Sequence, residues 1–387
     1  MVKGKILYLQ YTNPTAYPPL ENSSGILADE GWSVRFFGIQ SHGSGNFKFA
    51  EHENIQVLLM NSARRGLRQK WHFIRYMLQS VHHARTWQPD WIYLSDMMTA
   101  PLGLLLKGMG YRVIYHEHDS PTPGAECPRL TRWILACRRR LAQRAAFNVL
   151  PQEERIRIFA RETGTGRPVY CVWNCPRKAE VMAQRHSKVR ETGESLKLYF
   201  HGSINLDRLP LSLIEGAKRS GVPVKLRVVG YETVGSQGAS ARLQHAAEKA
   251  GDLVELELLG SFDTHDEIIQ QMDGMHVGWI CFKNESGDIN LQHLAGASNK
   301  AFDYLAAGLP LIVPRTSGWE EMFVAPGYAK SCDPSDDDSI AATLLWFFDH
   351  PEEAAAMGRS GQEWIREEWN YERQFAPIME RLQNDSQ

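Results

Sequence analysis

Short apolar runs alternate with stretches of helical periodicity along most of the chain. Runs of about four to eight mostly apolar residues, bounded by Gly, Pro or Asp, are typical of strands buried on both faces of a parallel sheet. The stretches between them repeat apolar residues every three or four positions, as helices with one buried face do. This order predicts an α/β fold with parallel sheets. The strands predicted in the first half are Ile6–Tyr11, Val34–Ile39, Ile55–Met60, Trp91–Ser95, Val113–His116, Phe147–Leu150 and Val169–Val172.

The alternation is interrupted once and then begins again. Residues Asn174–Leu196 mix Pro176 with basic and polar residues, which indicates a connection between two domains. A last helix is predicted at Tyr371–Leu382, and helical segments follow Pro334 and Pro351. The helices predicted in the first half are Gly66–Thr86, Ala100–Gly110, Pro128–Ala145 and Glu153–Thr163. The strands predicted in the second half are Lys197–Phe200, Val224–Val229, Val254–Leu259, Val277–Phe282 and Leu311–Val313.

Length and composition agree with two domains. A chain of 387 residues exceeds one ordinary compact domain, and two of roughly 150–200 residues are expected. The sequence contains no run of about 18 apolar residues, so no transmembrane helix is expected. The start of the chain lacks the long apolar core of a secretory signal. The six cysteines have no paired metal-binding spacing, and buried reduced thiols in a cytosolic protein are expected.

The charge is divided unevenly between the two halves. Residues 1–175 carry 22 Lys and Arg against 13 Asp and Glu, whereas residues 176–387 carry 21 against 32. In the first half, Arg64–Tyr76 and Arg129–Arg140 interleave cations with large apolar groups. This pattern suits an anionic membrane surface or a lipid-diphosphate acceptor, and equally a solvated helix face. No nucleic-acid-binding module is recognisable, so no nucleic acid is expected as a partner.

The stretch from Ala295 to Arg315 contains the most specific signal. Ser298 and Asn299 are good N-cap residues, Lys300 lies in the first turn, and Gly308 ends the helix. The free amides at such a helix start favour a phosphate, and Lys300 adds a full positive charge. Asp303, one turn later, can accept hydrogen bonds from a ribose diol. The alternative is a capped amphipathic helix with Asp303 solvated at its edge.

Titratable residues cluster after the strand Val113–His116. The run Ile114–Ser120 contains His116, Glu117, His118 and Asp119, which suggests a zinc or iron site. Neighbours along a strand point to opposite faces, however, so the two histidines cannot easily meet Glu117.

The helix sequence carries a family resemblance. Asn299–Pro310, NKAFDYLAAGLP, resembles the nucleotide-sugar signature of retaining GT-B glycosyltransferases of family 4 (group 1). The resemblance places Asp303 on the acid that holds the donor ribose. A second family acid, eight residues upstream on the sugar side, is replaced here by Ala295. Glu285 and Asp288 are candidate substitutes for that acid.

Other parts of the chain fit the same resemblance. The family often has a histidine that approaches the donor sugar where His118 lies, and a cation for the diphosphate where Arg208 lies. The loop Gln10–Leu20, stiffened by prolines, would face the diphosphate or the acceptor, although a rigid surface turn would look the same. Its acceptor-side candidates are Asn13, Thr15 and Tyr17. The residues expected to contact the nucleotide sugar are Gly202, Ser203, Gly230, Tyr231, Leu259, Gly260, Phe262, Glu285, Ser298, Asn299 and Asp303.

The resemblance implies a GT-B architecture, in which two Rossmann-like, doubly wound parallel-sheet domains face each other across a cleft. Residues 1–175 would form the acceptor-side domain, 176–195 the linker and 196–370 the nucleotide-sugar domain. The helix at 371–387 would pack back on the first domain.

The implied activity is a retaining, hexosyltransferase-type transfer from a nucleotide-diphosphate sugar, with a UDP-sugar favoured. The acceptor would be a glycan or a polyprenyl-linked molecule in cell-surface or envelope polysaccharide biosynthesis. His118, Arg208 and Lys300 would be catalytic, with no metal and no cofactor. The protein is expected to be cytoplasmic, with peripheral contact at the inner face of the membrane as an option. The alternatives are a sugar-nucleotide epimerase of the same fold and a catalytically silent binding subunit.

Overall fold

The chain folds into two units, each built on its own parallel sheet. The first unit comprises Met1–Asn174 with Tyr371–Gln387, and the second comprises Cys175–Asn370. The computed structural model describes residues 3–13, 17–40, 49, 51–63, 66–122, 127–181, 189–233, 235–283 and 287–384.

The first unit contains a seven-stranded sheet in which all paired strands are parallel. Its strand order is β3-β2-β1-β4-β5-β6-β7, so the chain reverses direction across the sheet next to β1. Ligands of doubly wound sheets bind outside the carboxyl ends of the strands near such a reversal. The strands are β1 (Lys5–Gln10), β2 (Ser33–Gln40), β3 (Ile55–Asn61), β4 (Trp91–Ser95), β5 (Arg112–His116), β6 (Phe147–Leu150) and β7 (Val169–Cys171).

Helices cover both faces of this sheet. Leu27 and Ile378 belong to the core on one face, whereas Tyr76, Leu141 and Phe159 belong to the core on the other. The first face is therefore covered by α1 (Pro18–Asp29) and α14 (Tyr371–Asn384). The second face is covered by α2 (Leu67–Trp87), α3 (Ala100–Gly108), α4 (Arg129–Arg144) and α5 (Glu153–Thr163). None of the helices in the described part of the chain has the length and apolar character needed to span a bilayer.

The second unit contains a six-stranded parallel sheet of order β10-β9-β8-β11-β12-β13. Its core includes Leu198, Leu226 and Trp279. The strands are β8 (Leu196–Ile204), β9 (Val224–Glu232), β10 (Val254–Leu258), β11 (Val277–Trp279), β12 (Leu311–Pro314) and β13 (Ala329–Cys332). The helices are α6 (Leu211–Ser220), α7 (Ala239–Ala250), α8 (His265–Gln270), α9 (Ile289–Gln292), α10 (Asn299–Ala306), α11 (Ser317–Trp319), α12 (Asp337–Asp349) and α13 (Pro351–Glu367).

The predicted parallel α/β fold is confirmed, with local corrections. The helix α1 begins at Pro18, inside a loop predicted to run to Leu20, because two prolines fit the first turn of a helix. Its polar residues Ser23 and Ser24 are buried, so apolar periodicity does not mark it. The strand β13 was not predicted, because it is short and only partly apolar. The strand β11 ends at Trp279, three residues earlier than predicted.

One residue of the predicted basic surface is internal. Arg138 is buried and makes a two-pronged ion pair with Glu117, with Nε to Oε2 at 2.5 Å and Nη2 to Oε1 at 2.7 Å. The hydroxyl of Tyr115 donates to the same carboxylate at 2.8 Å, and Arg138 also reaches Glu162 at 3.1 Å. The sequence did not predict that Arg138 is buried, because its partner Glu117 follows β5 and is distant from α4 in the chain. Glu117 therefore points away from the histidines beside it.

Breaking this pair should be costly. Arg138→Gln leaves the Glu117 carboxylate buried without its counter-ion, and we expect a loss of about 3–5 kcal/mol in the free energy of unfolding. Arg139→Gln, an exposed neighbour on the same helix, should change it by less than about 0.5 kcal/mol. Urea unfolding followed by circular dichroism measures both. Equal midpoints for the two variants would show that the ion pair does not hold α4 to the sheet.

Candidate functional site

In the second unit, three glycines bring neighbouring strand ends unusually close. Gly202, Gly230 and Gly260 have φ angles of +123°, +146° and +74°. The amide of Gly230 donates to the carbonyl of Gly260 at 2.7 Å. A Cβ atom at Gly230 would lie 1.9 Å from the carbonyl oxygen of Gly202. Only glycine allows this approach and these angles, so the carboxyl edge of the sheet presents bare backbone.

Lys300 lies over this backbone. A Cβ atom at Gly202 would be 2.7 Å from Cε and 3.0 Å from Nζ of Lys300, which comes from the first turn of α10. Burial, and next the charge of Arg208, lower the pKa of Lys300 to about 7, although Asp303 acts in the opposite direction. Such a lysine carries its charge at a desolvation cost, which an incoming anion would offset.

Arg208 is held in place by three contacts. Its Nη1 donates to the Ser203 hydroxyl at 3.1 Å, and its amide donates to Asn205 Oδ1 at 2.9 Å. Its carbonyl accepts a hydrogen bond from Trp279 Nε1 at 3.1 Å. The predicted site residues Gly202, Ser203, Arg208 and Lys300 therefore lie together at one sheet edge.

Asp303 is buried, so its alternative placement at a solvated helix edge is wrong. Its Oδ2 lies 3.3 Å from Nε2 of His201 and 3.4 Å from Nε2 of His265. Burial alone would raise the pKa of the Asp303 carboxyl, but the charge of His265 and hydrogen bonds from both histidines lower it below its ordinary value. Nδ1 of His265 is in turn 4.0 Å from Glu180 Oε1. Sequence reasoning missed both histidines as partners of this acid.

The start of α10 keeps polar groups available. Ser298 precedes the helix in an extended conformation, but its side chain does not form the predicted cap. Asn299 Oδ1 is buried and has no hydrogen-bond partner among the described residues. No capping side chain accepts a hydrogen bond from the first-turn amides, so these amides can donate to a bound anion.

The remaining predicted contacts of the second unit are less enclosed. Tyr231, in β9, is exposed, and Leu259 and Phe262, which follow β10, are half-buried. Ala295 is buried, and Glu285 lies outside the described residues. Asp288 already accepts the amide of Asn290 at 2.9 Å as the cap of α9.

In the first unit, His118 follows β5 and is buried with no hydrogen-bond partner on either ring nitrogen among the described residues. Its ring centroid lies 3.8 Å from that of His116 and 5.2 Å from that of Tyr17. Burial and the charge of Arg155 lower the pKa of His118 to about 3, so the imidazole is neutral near pH 7. Asn13 is also buried. Thr15 lies outside the described residues.

Two residues that sequence reasoning missed position the His118 turn. Asp96, a non-glycine residue with a φ of 63°, accepts the amide of His118 at 3.0 Å. Burial and the charge of Asp119 raise the pKa of Asp96 to about 7, against backbone hydrogen bonds that lower it. Arg155 is buried and donates to the carbonyl of His118. Only the place of Asp96 directly after a predicted strand could have drawn attention to it.

The metal alternative for this cluster loses one of its two acids, because Glu117 pairs with Arg138. Within the described part of the chain, no three His, Cys, Asp or Glu side chains are grouped so that they could hold a metal ion.

Comparisons with known proteins find glycosyltransferase domains in both halves of the chain. A model described as "Glycosyl transferase 4-like domain" matches residues 23–174, and one described as "Glycosyl transferase-like" matches residues 243–380. No curated protein matches the sequence.

Solved structures share the fold over nearly the whole chain. Anabaena Alr3699/HepE in complex with UDP and glucose has a TM-score of 0.74 at 15% identity, covering 98% of this chain and 100% of that one. Sucrose-phosphate synthase (tll1590) from Thermosynechococcus elongatus has a TM-score of 0.71 at 14% identity, covering 99% and 98%. A structure from E. coli, named as trehalose-6-phosphate bound with UDP-2-fluoro glucose, has a TM-score of 0.69 at 14% identity, covering 98% and 99%.

Because the identities are low, these structures show a shared fold and not a shared activity. The two domain matches, which together span most of the chain, add the enzyme class to the fold. The protein is a glycosyltransferase of GT-B type and is similar to those of family 4, group 1.

Proposed function

We propose that the protein transfers a sugar, of the hexosyl type, from a UDP-sugar to an acceptor with retention of anomeric configuration. The observation that carries this proposal is the half-buried Lys300, which lies over Gly202 beside the buried carboxylate of Asp303. A cation and an anion fixed one helical turn apart suit a diphosphate joined to a ribose. The complexes of HepE with UDP and glucose, and of the E. coli structure with UDP-2-fluoro glucose, support the choice of donor.

In this proposal the second unit binds the donor. The diphosphate lies on Lys300, Arg208 and the free amides at the start of α10. The ribose hydroxyls donate to Asp303, sharing its carboxylate with His201 or His265. The base lies near the backbone of Gly260, with Tyr231 and Phe262 as stacking surfaces, and Glu285 remains the candidate for the donor-sugar contact.

The chemistry requires stabilisation of the departing UDP. The bond between the anomeric carbon and the diphosphate oxygen breaks, and negative charge accumulates on the diphosphate. The acceptor oxygen bonds to that carbon on the same face, and the acceptor's proton leaves with the diphosphate. Two cations already in place stabilise that charge without rearrangement, so we propose that no metal and no cofactor take part. Neutral His118 in the first unit would hydrogen-bond the donor sugar, and Asn13, Thr15 and Tyr17 would contact the acceptor.

We also propose that the acceptor is a glycan or a polyprenyl-linked molecule in envelope polysaccharide biosynthesis, met at the inner face of the membrane. The basic character of the first unit supports this part of the proposal, because polyprenyl diphosphates and bacterial lipid surfaces are anionic.

Removing the carboxylate of Asp303 should weaken UDP binding. Asp303→Ala deletes the charged hydrogen bonds to the ribose, worth about 1.5–3 kcal/mol, which is roughly a 10- to 150-fold rise in the dissociation constant. Isothermal titration calorimetry measures the constant, and a melting curve verifies that the variant is folded. Asp266→Ala, on the exposed first turn of α8, is the matched control. An unchanged UDP affinity in a folded Asp303→Ala protein would show that Asp303 does not bind the ribose hydroxyls.

UDP binding should depend on pH through Lys300. Its pKa is about 7 in the free protein, and a bound diphosphate raises it, so binding takes up a proton at higher pH. We therefore expect affinity to fall between pH 7.5 and 9 by up to about tenfold per pH unit, because the phosphates, with a second pKa near 6, are already ionised there. Lys300→Met should bind UDP more weakly, and its UDP affinity should no longer fall with rising pH. The same slope in Lys300→Met would assign the proton to another group.

Arg208 should act mainly on turnover. Arg208→Ala removes a donor aimed at the leaving group, and we expect kcat to fall by about 10²–10³-fold with a smaller change in UDP affinity. Arg219→Ala, at the exposed end of α6, should leave kcat unchanged. Activity of the wild type should persist in EDTA. Loss of activity in EDTA that magnesium or manganese restores would contradict the metal-free mechanism.

A further inference from the structure

The outer face of α2 is apolar where solvent contact predicts polar residues. Trp71, Ile74 and Leu78 are 72%, 46% and 67% exposed. Their spacing of three and then four residues places them on one helix face, opposite the buried Tyr76 and Ser80. Contiguous exposed apolar groups of this size mark contact surfaces.

A second helix also exposes apolar side chains, at its start and not along its whole outer face. Leu130 and Trp133, in the first turns of α4, are 48% and 50% exposed. Neither α2 nor α4 contains a single Asp or Glu. The apolar groups are instead accompanied by exposed cations, namely Arg68, Lys70 and Arg75 on α2 and Arg129, Arg132 and Arg140 on α4.

The fold places both helices on one side of the first sheet. Tyr76 of α2 and Leu141 of α4 belong to the same buried core. Each helix follows a parallel strand, β3 and β5 respectively, so its first turns lie toward the carboxyl edge of the sheet. Trp71 and Trp133 lie in those first turns, and His118 lies at the same edge after β5.

We propose that the surface formed by the outer faces of α2 and α4 docks on an anionic phospholipid bilayer. Indole rings favour the interface between lipid and water, and cations beside them are attracted to anionic headgroups. A second copy that docked through the same face would bring the same acid-free, positive surface and be repelled. Docking presents the carboxyl edge of the first sheet to a lipid-anchored acceptor, and only this last step rests on the function proposed above.

Vesicle cosedimentation tests the surface directly. The full chain is mixed with vesicles of phosphatidylcholine alone, or of phosphatidylcholine with phosphatidylglycerol, at low and at physiological salt. We expect binding to the anionic vesicles only, and weaker binding at physiological salt, where charges are screened beyond about 8 Å. No binding to anionic vesicles at low salt, or equal binding to both compositions, would overturn the proposal.

Two sets of variants locate the contact. Arg129→Gln, Arg132→Gln and Arg140→Gln combined should weaken binding by about a hundredfold, at roughly fivefold per cation. Arg242→Gln, Lys249→Gln and Arg359→Gln combined, at exposed positions of the second unit, are the matched control and should have little effect. Trp71→Ala with Trp133→Ala should weaken binding at both salt concentrations. Equal losses in the arginine set and its control would overturn the assignment to α2 and α4.

Two parallel measurements separate the remaining explanations. Every variant should keep the UDP affinity of the wild type, so vesicle binding without UDP binding would leave the docking surface standing and remove the proposed donor. UDP binding without vesicle binding would support the proposed donor and overturn the docking surface. Sedimentation velocity follows self-association. A dimer that Trp71→Ala dissociates, with vesicle binding unchanged, would make the surface a contact between copies and overturn the proposal.

Discussion

A positive charge held out of water against bare backbone is the constraint on which the second unit depends. Lys300 can lie over Gly202 only because no Cβ stands there, and Gly230 must be glycine for its strand to approach Gly202. The hydroxyl of Tyr304, on the same helix, accepts the amide of His201 at 3.0 Å and fixes α10 against β8. Helix, sheet edge and the charge of Lys300 are therefore parts of one arrangement.

His201 in the second unit and His118 in the first serve as neutral polar groups. Burial lowers the pKa of His201 despite its contact with Asp303, and burial and Arg155 lower that of His118. The charged groups that the proposal assigns to the donor are thus Lys300, Arg208 and Asp303. A neutral imidazole can donate one hydrogen bond and accept another, which suits recognition of sugar hydroxyls better than general-base chemistry at such a low pKa.

Sequence patterns predicted the structural elements that depend on residues close together in the chain. Apolar runs found most strands, and the helix that contains Lys300 and Asp303 was visible from its start, its stop and its resemblance to a family signature. The partners of these residues were not visible, because contacts such as His265 with Asp303 join residues 38 positions apart. Arg138 was misplaced on the surface for the same reason, since its acid lies 21 positions away on another element. Strand β13 and helix α1 lack the apolar periodicity that marks the others.

The central claim is that Lys300 and Asp303 together bind the diphosphate and ribose of the donor. A crystal structure of the protein with saturating UDP tests it most directly. The account predicts diphosphate oxygens within about 3 Å of Lys300 Nζ, the usual distance of a charged hydrogen bond, and ribose hydroxyls on the Asp303 carboxylate. A nucleotide bound elsewhere, with Asp303 still held only by His201 and His265, would contradict it.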